Sequence, residues 1–108
     1  MKIAISSAGK ELSDQVSELF GRCPYFIIVE MEKGLVVKRE VVKNRNEDQA
    51  SGAGMAAAKF LAERDVDVAI AKTIGPRAMD VLRQFKIEIH EEAGVIEDVL
   101  GKFAAKQK

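Results

Sequence analysis

Apolar residues along this chain switch between two spacings. Residues 3–6 form a short, mainly apolar run stopped by Ser7, Ala8 and Gly9, the pattern of a buried strand. Leu12, Val16, Leu19 and Phe20 then fall at i, i+4, i+7 and i+8, which predicts a short helix with Ser13 as its N-cap. Gly21 sits where a left-handed residue would end that helix. Residues 25–31 are rich in β-branched and aromatic side chains and read as a second strand. Glu32, Lys33 and Gly34 supply a turn, and residues 35–42 return as a third strand, so the two form an antiparallel hairpin. Residues 43–49 carry no apolar side chain and read as an exposed loop.

The second half alternates regularly. Residues 51–64 predict a helix with Ala53, Ala57, Phe60 and Leu61 on one face, followed by a strand over 66–71. Ala78, Val81, Leu82 and Phe85 repeat the helical spacing, residues 87–90 form a fifth strand, and Ile96, Val99, Leu100 and Phe103 close with a last helix. Phe85 and Phe103 are therefore placed in the core. Alternating strands and helices demand parallel pairing with right-handed crossovers. The expected fold is a three-layer α/β domain over 1–108, with a mixed five-stranded sheet of order 3-2-1-4-5, strand two antiparallel, and helices on both faces. That is the topology of ribonuclease H-like domains. The nucleases among them hold metal ions on first-strand carboxylates, and residues 3–6 contain none, which argues against a two-metal nuclease.

Strand direction gathers the unusual residues. If strands one, three, four and five run one way, their carboxyl ends share a rim with the amino end of strand two, and ligands of open α/β sheets sit outside such a rim. Gly9, Gly21, Gly52, Gly54, Gly75 and Gly94 fall there and allow close backbone approach. Helix starts near Ser51 and Gly75 offer amide groups to an anion. Thr73 lies beside the second of them. Arg22, Lys72 and Arg77 add positive charge, Cys23 a soft ligand and His90 a borderline one. This set suits a compact anionic ligand, including one that contains metal.

Each feature has a plainer reading. Cys23 also reads as a small buried hydrophobe, His90 as a strand-end residue bonded to a carbonyl, and Gly75-Pro76 as a strand-to-helix turn. Glu91 and Glu92 read as a solvated loop. Arg77 falls in the first turn of its helix, where a cation opposes the helix dipole, which points to a partner for it.

Composition removes other classes. Seventeen basic and seventeen acidic residues leave no net charge, against a general nucleic-acid or membrane-surface binder. One cysteine forms no internal disulfide, and no apolar run spans a bilayer or resembles a signal peptide, so a cytoplasmic protein is expected. The basic run over 102–108 reads as a solvated helix end. No serine stands in a nucleophile elbow and the single histidine has no evident orienting partner, so no enzyme is expected.

The opening Met1-Lys2-Ile3-Ala4-Ile5, Val16-Ser17-Glu18, Phe20-Gly21-Arg22, Pro24-Tyr25-Phe26, Gly52-Ala53-Gly54, Val66-Asp67-Val68 and Ile74-Gly75-Pro76-Arg77-Ala78 together resemble the dinitrogenase iron–molybdenum cofactor biosynthesis family, of the NifX and NifB C-terminal type. The resemblance covers nearly the whole chain. It implies a ribonuclease H-like fold and a non-enzymatic carrier, purified with or without its cargo. That cargo would be iron–molybdenum cofactor, its precursor or another molybdenum or iron–sulfur cluster, and other cofactor-assembly proteins would be partners. Where many members carry histidine, this chain has Leu19 before Phe-Gly-Arg, and Gln49-Ala50-Ser51-Gly52 before the long helix; Lys72-Thr73 replaces a frequent Gly-Gly. Cys23 is the candidate ligand, with Arg22 and Arg77 as charge partners. The alternative is a regulatory or interaction module that binds a protein partner or a metal-free anion at the same rim.

Overall fold

The computed structural model describes residues 1–48 and 51–106. Gln49 and Ala50, in the run before the long helix, and the last two residues of the basic tail lie outside the described residues. The sheet contains β1 (Lys2–Ser7), β2 (Tyr25–Glu32), β3 (Leu35–Lys43), β4 (Val68–Ala71) and β5 (Glu88–Glu91) in the order β3-β2-β1-β4-β5. β2 is antiparallel to both neighbours, and β1, β4 and β5 run parallel. The expected order and directions are those observed. Lys33 (φ 53°) and Gly34 (φ 79°) make the left-handed two-residue turn that joins β2 to β3.

Side-chain alternation divides the core into two layers. Ala4, Phe26, Ile28, Ala69 and Ala71 face α1 (Ala53–Glu63) and α2 (Pro76–Gln84), where they meet Ala57, Leu61, Ala78 and Leu82. Ile3, Ile5, Ile27, Val29, Val68 and Ile70 face α3 (Ile96–Lys106), where they meet Ile96, Val99, Leu100 and Phe103. Among the described residues no helix is long and apolar enough to cross a membrane.

Two expectations are corrected. Residues 12–20 form no α-helix; only a 3-10 turn, Phe20–Arg22, follows them. Residues 12–14 turn, with the Asp14 amide on the Glu11 carbonyl at 3.0 Å, and residues 15–19 lie between the carboxyl-terminal continuations of β1 and β4. Val16 bridges Ser7, Gln15 bridges Val95 and Leu19 bridges Thr73. The Ser17 amide donates to the Ser6 carbonyl at 2.7 Å, the Phe20 amide to the Thr73 carbonyl at 3.0 Å, and the Thr73 amide to the Glu18 carbonyl at 2.9 Å. Bonds to two neighbouring strands replace the helical ones, so Ser13 caps nothing. Gly21 is not left-handed either.

Phe85 is the second correction. It is 54% exposed, whereas Phe103 is 4% exposed. α2 ends at Gln84, so Phe85 occupies the cap with φ −93° and leaves the helical face. Lys86 then turns the chain at φ 59°, and Ile87 fills the core position.

Candidate functional site

At the carboxyl-terminal rim the starts of α1 and α2 meet the 3-10 turn around a cavity of about 390 Å³. Its wall includes Leu19, Phe20, Gly21 and Arg22 from the turn, Gly52 to Met55 from α1, and Thr73 and Gly75 to Ala78 from α2. Close approach of backbones builds it. A Cβ on Gly21 would lie 2.5 Å from the Gly54 nitrogen and 2.7 Å from its Cα, and one on Gly54 would lie 3.2 Å from the Ala78 Cβ. The turn, α1 and α2 therefore touch through residues with little or no side chain. Gly52 adopts φ 72° to admit the chain into α1.

The helix starts aim donors at this space. The first intrahelical bonds are Ala56 N–H to Gly52 and Met79 N–H to Gly75, at 3.0 and 2.9 Å. The amides of residues 53–55 and 77–78 precede them, and neither helix has a side-chain cap. Pro76 lacks an amide, and its fixed φ suits the first helical position. Arg77 is exposed and has no ion-pair partner among the described residues. The Arg22 guanidinium donates to the Glu47 carbonyl at 3.1 Å and ties the 44–48 loop to the cavity edge. Below it, the Ile74 amide donates to the Glu91 carboxylate at 3.0 Å, so Glu91 fastens the start of α2 to β5 rather than standing in a solvated loop.

The structure brings Gly21, Arg22, Gly52, Gly54, Thr73, Gly75 and Arg77 to one cavity. It places Gly9, Ser51, Cys23 and His90 outside the wall. Gly9 lies against the Asp14 carboxylate, which accepts from the Glu11 amide at 2.9 Å. His90 is on the α3 face, 2.6 Å from a Glu88 carboxylate oxygen and edge-on to Phe103 at 5.3 Å.

Cys23 is fully buried behind the turn, with its thiol donating to the Phe20 carbonyl at 3.3 Å. Burial pushes this thiol up from 9.0 to about 11, outweighing hydrogen bonds that favour the thiolate. It is therefore neutral near pH 7. Because the folded value is the higher one, folding stability from this group is full below pH 9 and is lost as pH rises through about 11. Native protein at neutral pH should resist iodoacetamide and react on unfolding in guanidinium; rapid labelling of native protein would show that the sulfur reaches solvent.

Of the wall residues outside the candidate set, Leu19, Phe20, Ala53, Pro76 and Ala78 lie in the sequence motifs, and Met55 alone has no signal in the pattern. Asn44 was missed altogether. It is buried, and its side-chain amide donates to the carbonyls of Gly21 and Cys23 at 3.1 and 2.8 Å, while its carbonyl accepts from the Asn46 amide at 3.0 Å. An asparagine within a polar run looks solvated until the loop is folded back.

Known proteins are similar to this chain in sequence or in fold. The chain is 34% identical over 91 residues to a Methanocaldococcus jannaschii protein named Uncharacterized protein MJ0580, which spans 84% of this chain and 74% of that one. The apo form of the orange protein from Desulfovibrio gigas superposes with a TM-score of 0.89 at 27% identity, over 98% of this chain and 88% of that one. A provisionally named NifB protein from Thermotoga gives 0.79 at 33% identity, over 96% and 87%. The family model described as dinitrogenase iron-molybdenum cofactor matches residues 1–106, and the chain belongs to that family.

Proposed function

We propose that this chain is a non-enzymatic carrier of an anionic metal–sulfur cluster, seated in the cavity between the starts of α1 and α2. The observation that carries this reading is the convergence of two helix starts and two arginines on one space of about 390 Å³. That volume is in the range of small-ligand sites. A bound anion would also reconcile Arg77 with the dipole of α2, since both then face negative charge. Family membership supports the kind of cargo: iron–molybdenum cofactor, a precursor or a related molybdenum–sulfur cluster.

The donor set says how the cargo is held. Among the described residues no thiolate, imidazole or carboxylate lines the wall, and the Met55 thioether is the one soft side-chain atom there. Among the described residues no group of three or more potential metal ligands comes together. The cluster therefore arrives with its coordination complete and is held by amide N–H groups and guanidinium charge at its sulfide or oxo surface.

Anaerobic titration with thiomolybdate or a molybdenum–iron–sulfur cluster, followed by desalting, absorbance and metal analysis, tests this. Wild-type protein should retain cluster. Arg77→Ala should weaken retention by about tenfold, less at high salt, with the spectrum unchanged. Cys23→Ser should retain the same cluster with the same spectrum. A changed Cys23→Ser spectrum would make the thiol a ligand after rearrangement. Wild type that retains no cluster would overturn the carrier reading and leave the metal-free anion or partner module.

A further inference from the structure

We propose that the outer edge of β3 joins two copies of this chain in a weak antiparallel dimer. β3 is the last strand of the sheet on its side, so the backbone groups along its outer edge have no strand partner among the described residues. Among those residues seven large apolar side chains are exposed, and four of them, Leu35, Val36, Val37 and Val41, belong to β3. The strand is nine residues long, and almost all of it is exposed.

Edge strands are commonly protected by charges and bulges. β3 has both: Lys38, Arg39 and Glu40 occupy its middle, and Val37 is the extra residue between the Glu30–Lys38 and Met31–Val36 pairs. These charges do not repel a second copy, because their order is self-complementary. A two-fold axis through Arg39, perpendicular to the sheet, places Lys38 opposite Glu40 of the second copy twice, on the α1 face. The same axis places Val37 opposite Val41 of the second copy twice, on the α3 face. Directly opposed pairs of these types stabilise antiparallel strands. Moving the axis by one residue sets Lys38 against Lys38 or Glu40 against Glu40.

At the Arg39 axis two arginines meet, but each lies 4.0 Å from Glu11 of its own chain, which offsets its charge. Lys38 is 4.0 Å from Glu30 with both side chains largely exposed, so it is available to turn outward. Glu40 already meets Arg64 at 2.9 Å and would bridge Arg64 and the incoming lysine. Pairing ends at the bulge, so the interface is short and the dimer weak. The cavity wall contains no β3 residue, so both cavities stay open.

Sedimentation equilibrium over a wide concentration range tests the proposal on the full chain. Wild type should move from monomer towards dimer as concentration rises. Lys38→Glu sets acids opposite each other and should weaken the dimer by about tenfold or more, and Lys38→Glu/Glu40→Lys should recover part of that loss, since the swapped charges meet Glu30 and Arg64 of their own chain. Circular dichroism should show all three folded alike, since both positions are exposed. Wild type that stays monomeric throughout, a dimer indifferent to Lys38→Glu, or no recovery in the double variant would each overturn the β3 pairing.

Discussion

Gly21→Ala should lower folding stability by about 1–3 kcal/mol or more and at the same time disturb the cavity. The added Cβ would meet backbone atoms of α1 at 2.5–2.8 Å, well inside ordinary contact distance. Backbone cannot swing aside as a side chain can, so either α1 or the 3-10 turn must shift. The turn is held by the Phe20 amide on the Thr73 carbonyl and by Asn44 on the carbonyls of Gly21 and Cys23. α1 is held by Ala57, Ala58 and Leu61 in the core. Both sides resist, and the displacement reaches Arg22 and the amides of residues 53–55. Gly75→Ala is the matched control, because a Cβ there meets nothing within 4 Å. Its melting curve should stay near wild type while that of Gly21→Ala falls. Equal stability of the two would mean that the turn and α1 do not touch as described.

The sheet was legible because strand and helix spacings differ and the hairpin turn has a local signature. Once strand order and direction follow, so does the rim, and that is why Gly21, Arg22, Gly52, Gly54, Thr73, Gly75 and Arg77 could be grouped from sequence. The failures have a common physical origin. Helical spacing in residues 12–20 is real, but a lone short helix is marginal, and bonds to Ser6, Thr73 and Gly94 offered the same backbone a better arrangement. Periodicity also does not say where a helix stops. Leu82 and Phe85 fit one stripe, yet the helix ends between them. Asn44 departs from its reading as a loop residue for a different reason, whereas Cys23 is buried, as one of its two readings has it. Burial of a thiol or an amide depends on which loop folds over it, and neighbouring residue types do not encode that. The pattern therefore found the rim, and of the two readings of Cys23, soft ligand or small buried residue, the thiol is buried outside the cavity wall.

The two phenylalanines give the sharpest measure of that distinction. Phe103→Ala should lower folding stability by about 3–5 kcal/mol, while Phe85→Ala should change it by less than about 1 kcal/mol. Both residues satisfy the same apolar spacing, so sequence alone predicts equal losses. In the structure Phe103 is buried with Ile70, Val99 and Leu100 beneath α3 and has the His90 ring against it at 5.3 Å. Removing its ring leaves a void that sheet residues from two strands cannot close without moving the ladder. Phe85 stands at the end of α2 with over half its surface in water, and the core position beyond it is filled by Ile87. Losing that ring creates no cavity. Urea unfolding of both variants, with the slope of the transition compared to wild type, measures the difference. Comparable losses would place Phe85 in the core and move the end of α2. A small loss at Phe103 would detach α3 from the sheet. α3 shields the face opposite the cavity, so Phe103→Ala at temperatures where it stays folded should still bind what the wild type binds.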